Sequence, residues 1–214
     1  NQVWVGMSKE TAHQLGTPLT ALYGWVEYFR SAGGNENAVI EMNRDLDRLK
    51  VVSERFSKIG SQPKLSQENI VDCVASILDY MKSRTSRNIT ISFANKIGSA
   101  VVNLSRPLFE WVIENLVRNA IDAMDGKGEI RIEIHENEQE IYIDVSDTGK
   151  GIPKSKFKTI FKPGYTTKQR GWGLGLSLCK RIIELYHHGK IFVLASQPDK
   201  GTTFRISMKK MSHQ

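Results

Sequence analysis

The chain has 214 residues, of which 40% are hydrophobic and 25% charged, enough apolar content for one large or two small folded domains. Its formal net charge of +7 comes from lysines and arginines that are scattered rather than gathered in one stripe, so we expect no nucleic-acid partner. No apolar run reaches the roughly 18 to 20 residues of a membrane helix, and the first residues lack the pattern of a secretory signal.

The sequence starts at Asn1 rather than at a methionine, and we interpret it as a cytoplasmic fragment of a longer protein. Any sensor or membrane segment would then lie upstream. Cys73 and Cys179 have no metal-ligand spacing, and each falls within an amphipathic helical pattern. They are expected to be buried and reduced.

Apolar residues at steps of three and four predict a long first helix over residues 3–30. Paired glycines in residues 31–37 end it, and a second helix is predicted from Val39 to near Gly60. Two helices joined by a short turn form an antiparallel hairpin. The apolar stripe of the first helix is too large for one hairpin to cover, so we expect a homodimeric four-helix bundle.

The segment 60–69 is predicted to separate a first domain, residues 1–60, from a second, residues 61–214. The elements predicted beyond it are a helix at 69–83, strands at 88–94 and 99–104, a helix from Ser105 to about Met124, alternating strands at 129–136 and 140–147, a loop at 148–173, a helix at 174–187, and strands at 190–196 and 202–208. The two alternating strands should pair as a hairpin with one buried face. Helices beside a mostly antiparallel sheet make an α+β sandwich.

His13 is predicted to point about 160° away from the buried line of the first helix, since a helix advances about 100° per residue. Glu10 and Thr17 project within about 60° of it, and Pro18 should kink the chain just beyond. The helix alone leaves two interpretations open, a solvated residue or a chemical acceptor.

Two motifs of the second domain have the chemistry of a nucleotide site. Asn115 and Asn119 share one helix face at positions i and i+4, and carboxamide oxygens are suitable ligands for Mg²⁺. In "DTGKGI" the carboxylate of Asp147 can accept a hydrogen bond from an exocyclic amine. Gly149 and Gly151 then let the backbone approach a flat ring closely.

Two further motifs follow in the sequence. Residues 157–170 are basic and broken by glycine and proline, as in a mobile lid. "GWGLGL" opens a helix with Gly171, Gly173 and Gly175, and free N–H groups at a helix start suit phosphates. Each motif alone also fits an ordinary turn or surface helix, but the four in this order predict a nucleotide site.

The motif order resembles the catalytic region of sensor histidine kinases, whose ATP-binding fold is shared with DNA gyrase and a heat-shock chaperone. "AHQLGTPL" resembles the histidine box, "NLVRNAIDA" the asparagine box, "DTGKGI" and "GWGLGL" the glycine boxes, and "IFKPGYTTK" the phenylalanine box. The resemblance covers essentially the whole chain. It implies that 1–60 is a dimerisation and histidine-phosphotransfer hairpin and 61–214 an ATP-binding domain.

By this resemblance His13 is the phospho-acceptor, Thr17 serves dephosphorylation of the partner, Asn119 is the Mg²⁺ ligand and Asp147 the adenine reader. The other positions expected around ATP are Asn115, Arg118, Asp122, Gly149, Gly151, Ile152, Phe161, Tyr165, Thr167, Lys168, Gly171, Gly173, Leu174, Gly175 and Leu176. The implied reaction moves the γ-phosphate of ATP to His13 and then to an aspartate of a response regulator, with phosphatase activity toward that partner.

This sequence departs from the family at the residue after the histidine, where an acidic base is usual and Gln14 stands. Glutamine cannot take a proton, although its oxygen can accept a hydrogen bond. Either Glu10, one turn earlier, substitutes as the base, or orientation by Gln14 alone supports a slower reaction. Gly16 replaces the usual arginine.

Asn115 stands where ATPases of this fold carry the glutamate that activates water, so the site is suited to hold ATP without hydrolysing it. A nucleotide-sensing dimeric scaffold with weak or lost kinase activity remains an alternative because of Gln14. A serine kinase or an ATPase on the same fold is a second alternative, disfavoured by the hairpin and by Asn115.

Overall fold

A computed structural model describes residues 18–43, 46–47, 63–167 and 173–211. The chain divides into two compact units, Asn1–Pro63 and Lys64–Gln214. Across the described residues, no helix combines the length and the apolar character needed to span a membrane.

The described part of the first unit contains helix α1 at 18–31 and helix α2 at 36–43 and 46–47. Helix α1 ends at Gly33, whose φ of +80° suits glycine, and the amides of Gly33 and Gly34 donate back to the carbonyls of Arg30 and Phe29. The Asn35 side chain then accepts from the amide of Asn37 at 2.9 Å and caps the next helix. Helix α2 therefore begins three residues before the predicted start.

Helices α1 and α2 pack antiparallel in the described region. Leu19, Val26, Val39 and Leu46 form one buried cluster, and the Tyr23 hydroxyl donates to Asp47 at 2.6 Å. In the described part of the predicted stripe, Leu22 and Phe29 stay open within one chain, at 45% and 41% exposed, and the neighbouring Trp25 is 67% exposed.

The second unit holds seven strands and three α-helices in the part of Lys64–Gln214 that the structure describes. In chain order they are β1 (Ser66–Asn69), α3 (Ile70–Lys82), β2 (Ile89–Asn95), β3 (Val101–Leu104), α4 (Arg106–Ala123), β4 (Gly128–Glu136), β5 (Glu140–Asp147), α5 (Gly175–Arg181), β6 (Lys190–Gln197) and β7 (Gly201–Lys209). The helices lie beside one sheet and form an α+β sandwich with it.

The main sheet has the order β2-β4-β5-β7-β6, and the separate pair β1-β3 is antiparallel. Every pairing in the main sheet is antiparallel except β2 with β4, which run parallel. The sheet is therefore mostly antiparallel, as predicted. Strand β1 was not predicted, because its sequence "SQEN" is polar and falls in the segment taken as a linker.

The core lies between the helices and the predicted face of the β4-β5 hairpin. Ile130, Ile132, Ile134, Ile141, Ile143 and Val145 are each at most 1% exposed, which confirms the alternation. Cys73 and Cys179 are free and buried, also as predicted. Burial raises the pKa of the Cys73 thiol to about 11, and it raises the pKa of Cys179 as well.

The predicted 148–173 loop contains short helical turns at Lys154–Lys156 and Thr159–Phe161. The prediction of one helix over 174–187 was also inexact, because α5 is followed by a π-helical turn at Ile182–Tyr186. Hydrophobic periodicity does not distinguish an α-turn from a π-turn.

Candidate nucleotide-binding site

Asp147 lies at the end of β5, with its side chain almost fully buried. Its Oδ1 accepts hydrogen bonds from the backbone amides of Gly149, at 2.8 Å, and Thr202, at 3.3 Å. Burial raises the pKa of the carboxyl, and the two amides oppose that shift. Both of these bonds use the same oxygen, so they hold the carboxylate in one orientation.

The two glycines after Asp147 allow close backbone contacts. A Cβ at Gly149 would lie 2.6 Å from the carbonyl oxygen of Ala123, the last residue of α4. Gly151 has a φ of +70°, and a Cβ there would collide with the Gln197 carbonyl. The Lys150 amide donates to Ala123 at 2.9 Å. The motif therefore connects the end of β5 to the end of α4.

Helix α4 presents the two predicted asparagines, both half-buried, on one face. Asn119 Nδ2 donates to Asn115 Oδ1 at 3.0 Å. Since the nitrogen and oxygen of an amide point in different directions, Oδ1 of Asn119 faces away from Asn115.

The neighbouring Glu114 and Arg118 pair with each other. Glu114 is buried, and its Oε1 accepts from Arg118 Nε and Nη2, each at 2.9 Å. Arg118 was predicted to contact phosphates, and its guanidinium lies on Glu114 in this structure. Asp122, further along α4, is exposed.

The start of α5 lies directly against the asparagine face. A Cβ at Gly175 would be 2.8 Å from Asn115 Oδ1 and 2.9 Å from its Nδ2. Gly173, with a φ of +64°, accepts at its carbonyl from the Gly164 amide at 3.0 Å. The asparagine and second glycine motifs, about 60 residues apart in the sequence, are thus in contact.

The predicted phenylalanine motif is only partly exposed. Phe161 is buried, with its ring edge on Phe204 at a centroid distance of 6.2 Å. Tyr165 is half-buried and Thr167 is exposed. Residues Ile152, Leu174 and Leu176 are half-buried.

The segment between Asp147 and Glu184 contains no acidic residue. Its described lysines before residue 168 are Lys150, Lys154, Lys156, Lys158 and Lys162, and all five are exposed. We call these five residues the lysine segment.

Six predicted positions lie outside the described residues. They are Glu10, His13, Gln14 and Thr17 of the histidine motif, and Lys168 and Gly171 of the second domain. Their roles stay predictions.

The structure adds residues around Asp147 that no motif indicated. The Thr202 amide holds its carboxylate, and Gly201, at a φ of +101°, leaves room for the Asp147 carbonyl. The only sequence signal was the "DKG" turn before β7. His187, at the end of the π-helical turn after α5, had no signal beyond its helical position.

Among the described residues, no group of three or more His, Cys, Asp and Glu side chains could hold a metal ion. A carboxamide site differs, because it needs phosphate oxygens to complete the coordination of Mg²⁺. The carboxamide of Asn119, beside that of Asn115 on the same face of α4, has the chemistry to share such an ion.

The comparisons with known proteins agree with this geometry. Residues 105–212, half of the chain, match the family described as histidine kinase-, DNA gyrase B-, and HSP90-like ATPase. The chain is 32% identical over 204 residues to sporulation kinase A of Bacillus subtilis, with 93% of this chain and 33% of that protein covered. It thus spans about a third of the length of that relative.

Two solved structures extend the likeness. The catalytic domain of the histidine kinase ThkA has a TM-score of 0.62 and 30% identity, covering 68% of this chain and 95% of that one. ThkA in complex with the response regulator protein TrrA has a TM-score of 0.65 over 96% of this chain and 61% of that one, at 23% identity. The second likeness concerns the fold alone.

Proposed function

Because the chain belongs to the histidine kinase-, DNA gyrase B-, and HSP90-like ATPase family, and within it to the sensor histidine kinases, we propose that it transfers the γ-phosphate of ATP to His13. The phosphate then passes to an aspartate of a response regulator, and Thr17 supports a separate phosphatase reaction in which water releases inorganic phosphate from that aspartate. The protein works as a homodimer in the cytoplasm, with ATP and Mg²⁺.

The contact between Gly175 and Asn115 carries this proposal. It joins the start of α5, suited to phosphates, to the face of α4 that offers Asn119. Asp147 lies near the C-terminal end of the same helix, through the contact of Gly149 with Ala123. One molecule with a purine at Asp147 and phosphates at Gly175 would span these elements.

In the transfer, a neutral imidazole nitrogen of His13 bonds the γ-phosphorus while the bond from phosphorus to the β–γ bridging oxygen breaks, and ADP leaves. The other ring N–H is held by the Gln14 oxygen or gives its proton to Glu10. Bound Mg²⁺ would neutralise phosphate charge, with Asn119 as the ligand from this chain. Asn115 offers no base to activate water.

The second transfer breaks the N–P bond and forms an acyl phosphate on the partner. The complex of ThkA with a response regulator protein supports this class of partner.

Labelling with γ-labelled ATP tests the proposal. His13→Ala should abolish an acid-labile label and leave ATP affinity unchanged, whereas the exposed His188→Gln serves as the matched control and should label normally. An acid-labile label that persists in His13→Ala would contradict the acceptor. ATP binding without any label in the unmodified protein would instead favour the dimeric scaffold.

A further inference from the structure

The side chain of His187 accepts a hydrogen bond from the backbone amide of Ser105. Ser105 lies between β3 and α4, is 9% exposed, and its side chain makes no capping bond to the helix. Its backbone N–H donates to Nε2 of His187 at 2.9 Å. A buried N–H at this position needs a partner, and the imidazole supplies it.

The other side of the same ring closes the π-helical turn after α5. His187 Nδ1 lies 2.8 Å from the carbonyl oxygen of Ile182, which also accepts the backbone amide of His187 at 3.2 Å. The ring edge packs on Phe109 of α4 at a centroid distance of 6.3 Å. His187 is 6% exposed, so water competes little for these contacts.

The partners determine the protonation state of the ring. An amide N–H can only donate and a carbonyl can only accept, so Nε2 accepts and Nδ1 carries the proton. Burial lowers the pKa of His187, and the neighbouring His188 lowers it further, while the bond to Ile182 opposes the shift. The ring is therefore neutral, because a second proton would face the Ser105 N–H.

His187 and Gly175 mark the two ends of one contact between helices. Ser105 meets His187 at one end, and Asn115 meets Gly175 at the other. Ten residues of helix separate Ser105 from Asn115, about 15 Å. The two segments therefore run antiparallel, and the His187 contact with Ser105 lies about 15 Å along α4 from Asn115.

We infer that His187 is a positioning residue for the nucleotide site. Its Nε2 accepts a hydrogen bond from the start of α4, and its Nδ1 donates to the end of α5. Both ring nitrogens are bonded to main-chain groups of the protein itself. The ring sets the spacing between Asn119 and the start of α5, on which simultaneous binding of metal and phosphates depends. This inference rests on the proposed ATP site.

Two substitutions separate the hydrogen bonds from the packing. In His187→Gln the amide oxygen can reach the place of Nε2 and accept from Ser105. In His187→Phe a ring still packs on Phe109, but it can neither accept nor donate. ATP affinity is measured by calorimetry with Mg²⁺ on the whole chain, at a temperature where near-UV circular dichroism shows each variant folded.

We expect His187→Phe to weaken ATP binding about fivefold or more, and His187→Gln to stay within about twofold of the unmodified protein. His188→Gln, on the exposed neighbour, should bind as the unmodified protein does. Equal affinities for the Phe and Gln variants, whether both normal or both weak, would overturn the inference. No ATP binding by the unmodified protein would instead overturn the proposed function.

Imidazole ¹⁵N spectra of the unmodified protein give a second test that does not depend on folding of a variant. The proton of His187 should reside on Nδ1 at neutral pH. A proton on Nε2, or on both nitrogens, would overturn the inference because Ser105 would then have no acceptor.

Discussion

Asp147 combines burial, which disfavours its charge, with two backbone amides that favour it. We expect Asp147→Ala to weaken ATP binding about tenfold or more, with or without magnesium, because a buried carboxylate acceptor for the purine is lost. Calorimetry with and without Mg²⁺ checks this. Unchanged affinity would mean that the purine binds elsewhere.

The raised pKa of Asp147 also predicts how ATP affinity and stability change with pH. As pH is lowered, ATP affinity should begin to fall at a higher pH than it would with an aspartate of ordinary pKa, because protonation removes the acceptor. In the same range the contribution of this group to stability rises as pH falls, since the folded state takes up the proton before the unfolded state. The loss of affinity should therefore precede acid unfolding.

His188 has a φ of +53°, which is unusual for a residue with a side chain. His188→Gly should raise the free energy of unfolding by up to about 1 kcal/mol, since relief of backbone strain exceeds the added chain entropy. Urea unfolding measures it. Gly189→Ala is the matched control and should destabilise, because its Cβ would lie 2.5 Å from the Ser207 carbonyl. A less stable His188→Gly would show that this backbone carries no strain.

At the scale of elements, the contact between α4 and α5 depends on Gly175, because the Asn115 side chain occupies the space that a Cβ there would need. Gly175→Ala should weaken ATP binding about tenfold, because the new methyl displaces the Asn115 amide, while the folded protein keeps or slightly gains stability. Calorimetry and thermal unfolding measure the two effects.

Gly24→Ala is the matched control for this change. Gly24 lies in α1 with nothing within 4 Å of a Cβ, so alanine there should stabilise the helix and leave ATP binding unchanged. Normal ATP affinity in Gly175→Ala would refute the role of the contact.

The elements differ in how far their sequences determine them. The β4-β5 hairpin was predictable because alternation and burial agree at every position. Strand β1 was not predictable, because its polar residues pair with β3 through backbone hydrogen bonds, and such pairing leaves no hydrophobic pattern in the sequence. The parallel β2-β4 pairing depends on chain connections between distant segments, and no local signal records it.

The candidate site shows the same division. Asp147, Asn115, Asn119 and Gly175 were predicted through residue type and spacing. The links among them come from main-chain atoms, such as the Thr202 amide on Asp147, and every residue but proline has such atoms. His187 was missed because a buried histidine in a helical pattern looks like any core position.

At the scale of the whole molecule, the first unit has an apolar surface that one chain leaves uncovered. Light scattering should give about twice the 24.2 kDa of the chain, because burying this surface in a second copy is favourable. Leu22→Glu with Phe29→Glu should shift the protein toward the monomer. Asn37→Glu, which adds one such charge on an exposed polar residue of α2, should not. A monomeric unmodified protein at tens of micromolar would rule out the four-helix bundle.

The lysine segment has a consequence for the speed of binding. Five exposed cations without a neighbouring acidic residue in the sequence create a positive potential that attracts an anion such as ATP before contact, and salt screens it within about 10 Å at 0.1 M.

In stopped-flow measurements with a fluorescent ATP analogue, replacing Lys154, Lys156 and Lys158 by glutamine should slow association and flatten its dependence on ionic strength. Dissociation should change little. The same three charges removed at Lys82, Lys190 and Lys200 should have a smaller effect, and an equal effect would assign the attraction to net charge alone. With the smaller effect expected there, the segment that joins the two glycine motifs acts as an electrostatic guide, and the rate of ATP capture responds to the salt content of its surroundings.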